Sequence, residues 1–143
     1  MVPPASSWPK FPGHPDRRNF RWYHRPVRIL VIEDNSDARE GLAALLRMWG
    51  HEVLEAATGT EGIEMAVKHA PAVVLLDIVL PDIDGYDVAR QLRRKLGKRI
   101  RLLALSGYGE PQDRARSSEA GFDVHIVKPI DPVDLERVFR EEA

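Results

Sequence analysis

Five polar side chains stand directly after short apolar runs. Glu33 and Asp34 follow the run at 27–32, Asp77 the run at 72–76, Ser106 the run at 100–105, and Lys128 the run at 123–127. If those runs end at one edge of a sheet, three carboxylates come close together, and their repulsion demands a cation or raised pKa values. A hard divalent ion meets the demand. Magnesium suits it, because it keeps several waters while joining carboxylates to a phosphoryl group. Asp34 and Asp77 would bind it directly and Glu33 through water, whereas a structural calcium ion would want more protein oxygens than these residues offer. Asp77 is then the candidate nucleophile, since a carboxylate can form an aspartyl phosphate. The ammonium of Lys128 can pair with Asp77 and later offset charge on a phosphoryl oxygen, and the Ser106 hydroxyl can donate to another.

Bringing these residues together requires a particular set of elements. From Val27 onward, apolar runs alternate with segments of helical periodicity, the pattern of a mainly parallel sheet covered on both faces. Strands are expected over 27–32, 51–55, 72–76, 100–105 and 123–127. The second is the most polar and suits an edge; the third is apolar throughout and suits the middle. In a doubly wound α/β sheet of order 2-1-3-4-5, strands 1, 3, 4 and 5 are neighbours, and ligands collect outside their C-terminal ends.

Five helices are expected between and after the strands. In the first, Ala38, Leu42, Leu45 and Trp49 share one side, and Gly50 is placed to stop it. Thr58 and Glu61 have capping-box spacing ahead of the second, whose Ile63, Ala66 and Val67 can face the sheet. Asp84 and Asp87 flank the start of the third, with Val88, Leu92 and Leu96 on one stripe. The fourth, over 111–120, has a thin apolar face and is expected to be short or mobile. Asp131, Pro132 and Asp134 open the fifth, before Leu135, Val138 and Phe139. The run Arg93, Arg94, Lys95, Lys98 and Arg99 reads as a solvated helix end, or as a dock for an acidic partner.

Composition narrows the function classes. At 143 residues and 43% apolar content, one ordinary core is expected. The chain has no cysteine, which excludes disulfides, thiolate catalysis and sulfur-bound metals. Without a bilayer-length apolar run or a secretory leader pattern, a cytoplasmic protein without membrane insertion is expected. Residues 1–26 carry a net charge of +4, leaving −5 on the other 117 of a chain whose total is −1. The acidic body argues against direct DNA binding. The leading segment holds six of the eleven prolines and half of the ten aromatics, interleaved with arginines, and reads as an arm or linker ahead of a domain at 27–143.

Four stretches carry a family likeness: Val31-Ile32-Glu33-Asp34-Asn35, the segment from Leu75 to Gly85, Leu103-Ala104-Leu105-Ser106-Gly107, and Val127-Lys128-Pro129. In this order and spacing the chain resembles a response-regulator receiver domain of the two-component signalling family over 28–140, and so a flavodoxin-like fold. The resemblance implies that Asp77 accepts a phosphoryl group from a phosphohistidine on a sensor histidine kinase or histidine phosphotransfer protein. It also implies that Glu33 and Asp34 position Mg2+, that the Val79 carbonyl is its third protein contact, and that Ser106 and Lys128 are the hydroxyl and lysine of the site. Pro81 would shape the loop after Asp77, and Pro129 would follow a cis peptide. Phosphorylation would then control a downstream protein target, with homodimer formation as one route, and slow autodephosphorylation would reset it.

In the resembled family the position coupled to Ser106 in switching is usually an aromatic; here it is His125, which reads as a modified switch, as a merely exposed strand residue or as a partner contact. The residues flanking the site are Val79 and Tyr108, neither of which can place an attacking water well, so a long-lived aspartyl phosphate is expected. The likeness covers both stand-alone receivers and receiver modules of larger sensor kinases. Two other readings remain open from the residues: a protein-binding module independent of phosphorylation, and a phosphatase with an aspartate nucleophile. The second would want a further carboxylic acid, for which Asp82 and Asp84 are the nearby candidates, although a turn and a helix start explain both.

Overall fold

A computed structural model describes residues 26–107, 109 and 111–141. The arm at 1–26, apart from Pro26, and the flanking Tyr108 lie outside the described residues. The elements run in order as β1 (Arg28–Ile32), α1 (Ser36–Met48), β2 (Glu52–Ala56), α2 (Gly59–His69), β3 (Val73–Asp77) and α3 (Gly85–Leu96). A 3-10 turn at Gly97–Arg99 leads to β4 (Arg101–Ser106), α4 (Pro111–Ala120), β5 (Val124–Val127) and α5 (Pro132–Glu141). The strands form one parallel sheet in the order β2-β1-β3-β4-β5, as expected. Strand limits differ from the expected ones by about a residue. In consequence Asp77 and Ser106 are the last residues of β3 and β4 rather than the first beyond them, held in register opposite Leu105 and Val127.

Alternation along the strands divides the core between the two faces. Leu30, Ile32, Val74, Leu76, Leu102 and Ala104 face α2, α3 and α4 with Ala66, Val88, Leu92 and Ala120. Ile29, Val31, Val73, Leu75, Leu103 and Leu105 meet Leu42, Ala43 and Leu46 of α1 and Leu135 and Phe139 of α5. Each residue of β3 is buried, which its central place requires.

Two helical faces differ from expectation. In α1, Ala38 is exposed and Leu42, Ala43 and Leu46 are buried, followed by Trp49, and Asn35 caps the helix by accepting from the Ala38 N–H. In α2, Val67 is exposed, and the sheet side is formed by Gly62, Ala66 and the partly buried Ile63. Gly62 lies so close to Ile32 that a Cβ would not fit, drawing the helix in at that point. Thr58 caps α2 through the Glu61 N–H, Asp84 caps α3 through the Tyr86 N–H, and Asp131 accepts from the Val133 N–H at the start of α5. Gly50 closes the first helix at φ 93°. The fourth helix spans ten residues with only Ser117 and Ala120 buried.

The charge run at the end of α3 is not uniformly solvated. Arg93 donates to the carbonyls of Gly97, Ile100 and Gly121 and to Asp123, tying α3 to the turns before β4 and β5. Arg94, Lys95, Lys98 and Arg99 are exposed.

At the opposite end of the strands from the polar set, His51 is buried against Phe139, their rings edge to face at 5.7 Å, and its Nδ1 accepts from the Val27 N–H. Burial pushes its pKa down from 6.5 to about 4. The unfolded chain therefore binds the extra proton first, so this contribution is intact above pH 6.5 and is lost as pH falls toward 4. Glu33, whose pKa is raised from 4.5 to about 7, acts in the opposite sense over the same window. In urea titrations at pH 7.5 and 4.5, wild type should lose about 2–3 kcal/mol more than His51→Gln. Equal losses would show that His51 is not the acid-sensitive group.

Candidate functional site

The C-terminal edge of the sheet gathers the polar residues. Glu33 follows β1, with its N–H donating to the Ala56 carbonyl of β2 and its own carbonyl held by Arg39 at 2.9 Å. Asp77 ends β3, Ser106 ends β4, and Lys128 follows β5 with its N–H donating to the Ser106 carbonyl at 2.7 Å. Glu33, Asp77 and Ser106 are buried and Asp34 is exposed. Carboxylate oxygens of Glu33, Asp34 and Asp77 all lie within 4.8 Å of one another. Lys128 Nζ bridges two of these groups, 2.7 Å from Asp77 Oδ2 and 2.8 Å from Glu33 Oε1.

The electrostatics follow from this crowding. Burial first, and then a hydrogen bond and charge repulsion from Asp77, push the Glu33 pKa up to about 7 against the opposing pull of Lys128. For Lys128, burial pulls downward, but the hydrogen bonds and negative charges of Asp77 and Glu33 outweigh it and hold the ammonium above its usual range. Among the described residues, the one ammonium of Lys128 faces three carboxylates, which leaves the cluster with excess negative charge. A hard, oxygen-seeking divalent ion fits that donor set, with the exposed Asp34 on the solvent side. Asp77 is oriented through both oxygens, since Oδ1 accepts from the Val79 N–H at 2.9 Å while Oδ2 meets Lys128.

The loop after Asp77 is shaped by contacts that sequence reading did not assign. Gly85 lies against the backbone there: a Cβ would stand 2.7 Å from the Asp77 carbonyl oxygen, and the Gly85 N–H donates to Ile78 O. Pro81 is exposed in the turn, Val79 is 65% exposed, and the Lys128–Pro129 peptide is cis. Asp82, read as a turn residue, also binds the start of α2, accepting from the Gly59 and Thr60 N–H groups. His125 shares a rung with Ala104, two residues short of the Ser106 level, and its Nδ1 meets the buried Ser117 hydroxyl of α4 at 2.8 Å.

The charge balance is open to test by side-chain carboxyl NMR in a chelator. Asp77→Asn should lower the Glu33 pKa from about 7 toward its ordinary value, and Lys128→Met should raise it further. Shifts in the same direction in both variants would refute the assignment of opposing roles.

Comparison with known proteins agrees with this geometry. The family model described as response regulator receiver domain matches residues 29–140. A probable transcriptional regulator, ycf27, of Porphyra purpurea is 35% identical over 79% of this chain and 46% of its own length, and the transcriptional regulatory protein SrrA of Staphylococcus aureus is 36% identical over 75% and 44%. The chain thus spans less than half the length of these relatives. Among solved structures, a putative response regulator from Chloroflexus aurantiacus superimposes with a TM-score of 0.74 at 32% identity, covering 82% of this chain and 96% of the other. The receiver domain of a sensor histidine kinase from Pseudomonas aeruginosa, determined with a magnesium ion coordinated in its active-site cleft, has a TM-score of 0.74 at 29% identity, covering 81% and 96%. With three carboxylates and a lysine gathered at one sheet edge and the family model matching residues 29–140, this chain belongs to the response regulator receiver domain family.

Proposed function

We propose that this receiver takes a phosphoryl group on Asp77 from a phosphohistidine of a sensor histidine kinase or histidine phosphotransfer protein, and that the loaded state alters its contacts with a downstream protein. The observation that carries the reading is the pairing of Asp77 Oδ2 with Lys128 inside a three-carboxylate cluster. In the transfer, a carboxylate oxygen of Asp77 forms the new P–O bond as the P–N bond to the donor imidazole breaks, and that ring leaves with the electron pair. Asp34 and Asp77, with the Val79 carbonyl, would hold Mg2+, and Glu33 would hold one of its waters. When bound, that ion would neutralise charge on the phosphoryl oxygens. Lys128 would exchange its hold on the Asp77 carboxylate for a phosphoryl oxygen, and Ser106 would donate to another.

A phosphatase would need a second carboxylic acid beside the nucleophile. Asp82 accepts from Gly59 and Thr60, and Asp84 caps α3 and lies 3.7 Å from Arg116, so both nearby carboxylates are engaged in holding the loop and helix. This favours a receiver that keeps its phosphoryl group over a turnover enzyme. The described residues contain no helix long and apolar enough to cross a membrane.

The His125–Ser117 contact supports a modified switch, in which an imidazole joins β5 to α4 through a hydrogen bond. Homodimer formation on loading would be one output of such a change.

A small acyl-phosphate donor with Mg2+ should add one phosphoryl group by intact mass, and Asp77→Asn should add none. Stoichiometric labelling of the variant would place the acceptor elsewhere. Val79→Asn and Tyr108→Glu, alone and together, should speed phosphoryl loss by roughly 10-fold by improving water placement; unchanged decay would remove those side chains from control of the lifetime. His125→Phe should label normally yet change the chemical-shift response of α4 to loading, and an identical response would exclude it from the switch.

A further inference from the structure

The loop from Val79 to Asp84 joins β3 to α3 and carries the backbone next to Asp77. Its two ends are held by short-range hydrogen bonds, from the Val79 N–H to the Asp77 side-chain Oδ1 and from the Gly85 N–H to the Ile78 carbonyl. Its middle is held by a side chain that reaches another element. Asp82 Oδ1 accepts from the Gly59 N–H at 2.8 Å, and Oδ2 accepts from the Thr60 N–H at 2.9 Å and the Thr60 hydroxyl at 2.7 Å.

The chemistry of the contact is well matched. The first N–H groups of a helix have no acceptor within it, and Thr58 satisfies only that of Glu61. Asp82 takes the two before it, where a negative charge is also favoured by the helix dipole. Hydrogen bonds from the Thr60 hydroxyl and N–H and from Gly59 hold its carboxyl far below the usual carboxylate range, so it stays ionised. Steric fit at Gly59 is a second, independent sign that loop and helix are built to meet. A Cβ there would lie 2.9 Å from Val88 Cγ2, 3.2 Å from Ile83 Cβ and 3.3 Å from Asp82 Oδ1. Only glycine admits this approach without a shift of the loop or of Val88.

We propose that Asp82 is a positioning residue for the phosphoacceptor site, clasping the start of α2 so that the loop carrying Val79 keeps one conformation for cation binding beside Asp77. The inference rests on the reading above in which the Val79 carbonyl joins Asp34 and Asp77 around Mg2+. Asp82 does not touch the ion or the phosphoryl group. It would act by limiting the conformations the loop must surrender on binding, which is how residues behind metal ligands affect affinity. It also makes the start of α2 part of the site's support.

A helix cap alone would account for lost stability but not for lost metal affinity, and a pair of variants separates the two. Thr58→Ala removes the cap within α2 and leaves the loop untouched, while Asp82→Ala removes the clasp. Thermal melts and Mg2+ titrations by calorimetry on the intact chain should show both variants melting lower, with Mg2+ affinity weakened about 10-fold in Asp82→Ala and unchanged in Thr58→Ala. Asp82→Asn, which keeps one acceptor oxygen, should recover part of the affinity. Thr60→Val, which removes only the hydroxyl donor, should give a smaller shift in the same direction and serves if Asp82→Ala does not fold. Wild-type Mg2+ affinity in Asp82→Ala and Thr60→Val, or equal weakening in Thr58→Ala, would overturn the proposal. Asp34→Ala is the control for the underlying reading: if it too binds Mg2+ as wild type does, the cation site itself is wrong, whereas weakening there with none at Asp82 sinks the clasp alone.

Discussion

Negative charge held at close quarters governs this molecule. Three carboxylates with oxygens inside 4.8 Å, two of them on buried residues, would push one another apart or take up protons if nothing opposed them. Lys128 opposes them from the far end of the chain, 95 residues beyond Glu33 and 51 beyond Asp77. A single ammonium shared by two carboxylates joins β5 to β1 and β3, although β1 and β5 are not paired strands. The remaining excess of negative charge makes the site receptive to a divalent ion, and burial, reinforced by the hydrogen bond and charge of Asp77, raises Glu33 toward neutral pH.

The sheet supplies the rigidity this arrangement needs. Parallel strands packed on both sides place their C-terminal ends at one edge, and the register sets the depth of each functional residue to within a rung. The covering helices are not equally anchored. Leu92 and Val88 in α3 and Leu135 and Phe139 in α5 bury large side chains, whereas α4 buries only a serine and an alanine. It is held instead by polar contacts, the Ser117–His125 hydrogen bond and the Arg116 guanidinium 4.2 Å from the Tyr86 ring centroid. Such contacts are directional and individually modest, so α4 can reorganise at less cost than a helix with a greasy face. That places the adaptable element beside β5 and α3.

The loop after Asp77 shows how local rules can be read correctly and still leave out the decisive contact. Asp84 has the spacing of a helix cap and acts as one. Asp82 has the composition of a turn and also binds a helix 22 residues earlier. The loop's own sequence shows the cap but not the clasp, because a cap is a local pattern and a clasp depends on which helix packs alongside.

How much could be read in advance follows the same division. Strands and most helix starts were legible because apolar periodicity and capping are short-range patterns written in consecutive residues, and the convergence of Glu33, Asp34, Asp77, Ser106 and Lys128 followed once a doubly wound sheet of order 2-1-3-4-5 was expected. The outward turn of Ala38 and Val67, the role of Arg93 as a tie across three carbonyls and Asp123, and the pairing of His125 with Ser117 were not. Each depends on the rotation of one element against another, which is settled by close packing such as Gly62 on Ile32 and Gly85 on the backbone behind Asp77. The amino-acid sequence alone therefore determined which groups meet at the sheet edge and what charge they bring. Tertiary structure decided how firmly each is held and from which side, because those depend on contacts between residues far apart in the chain.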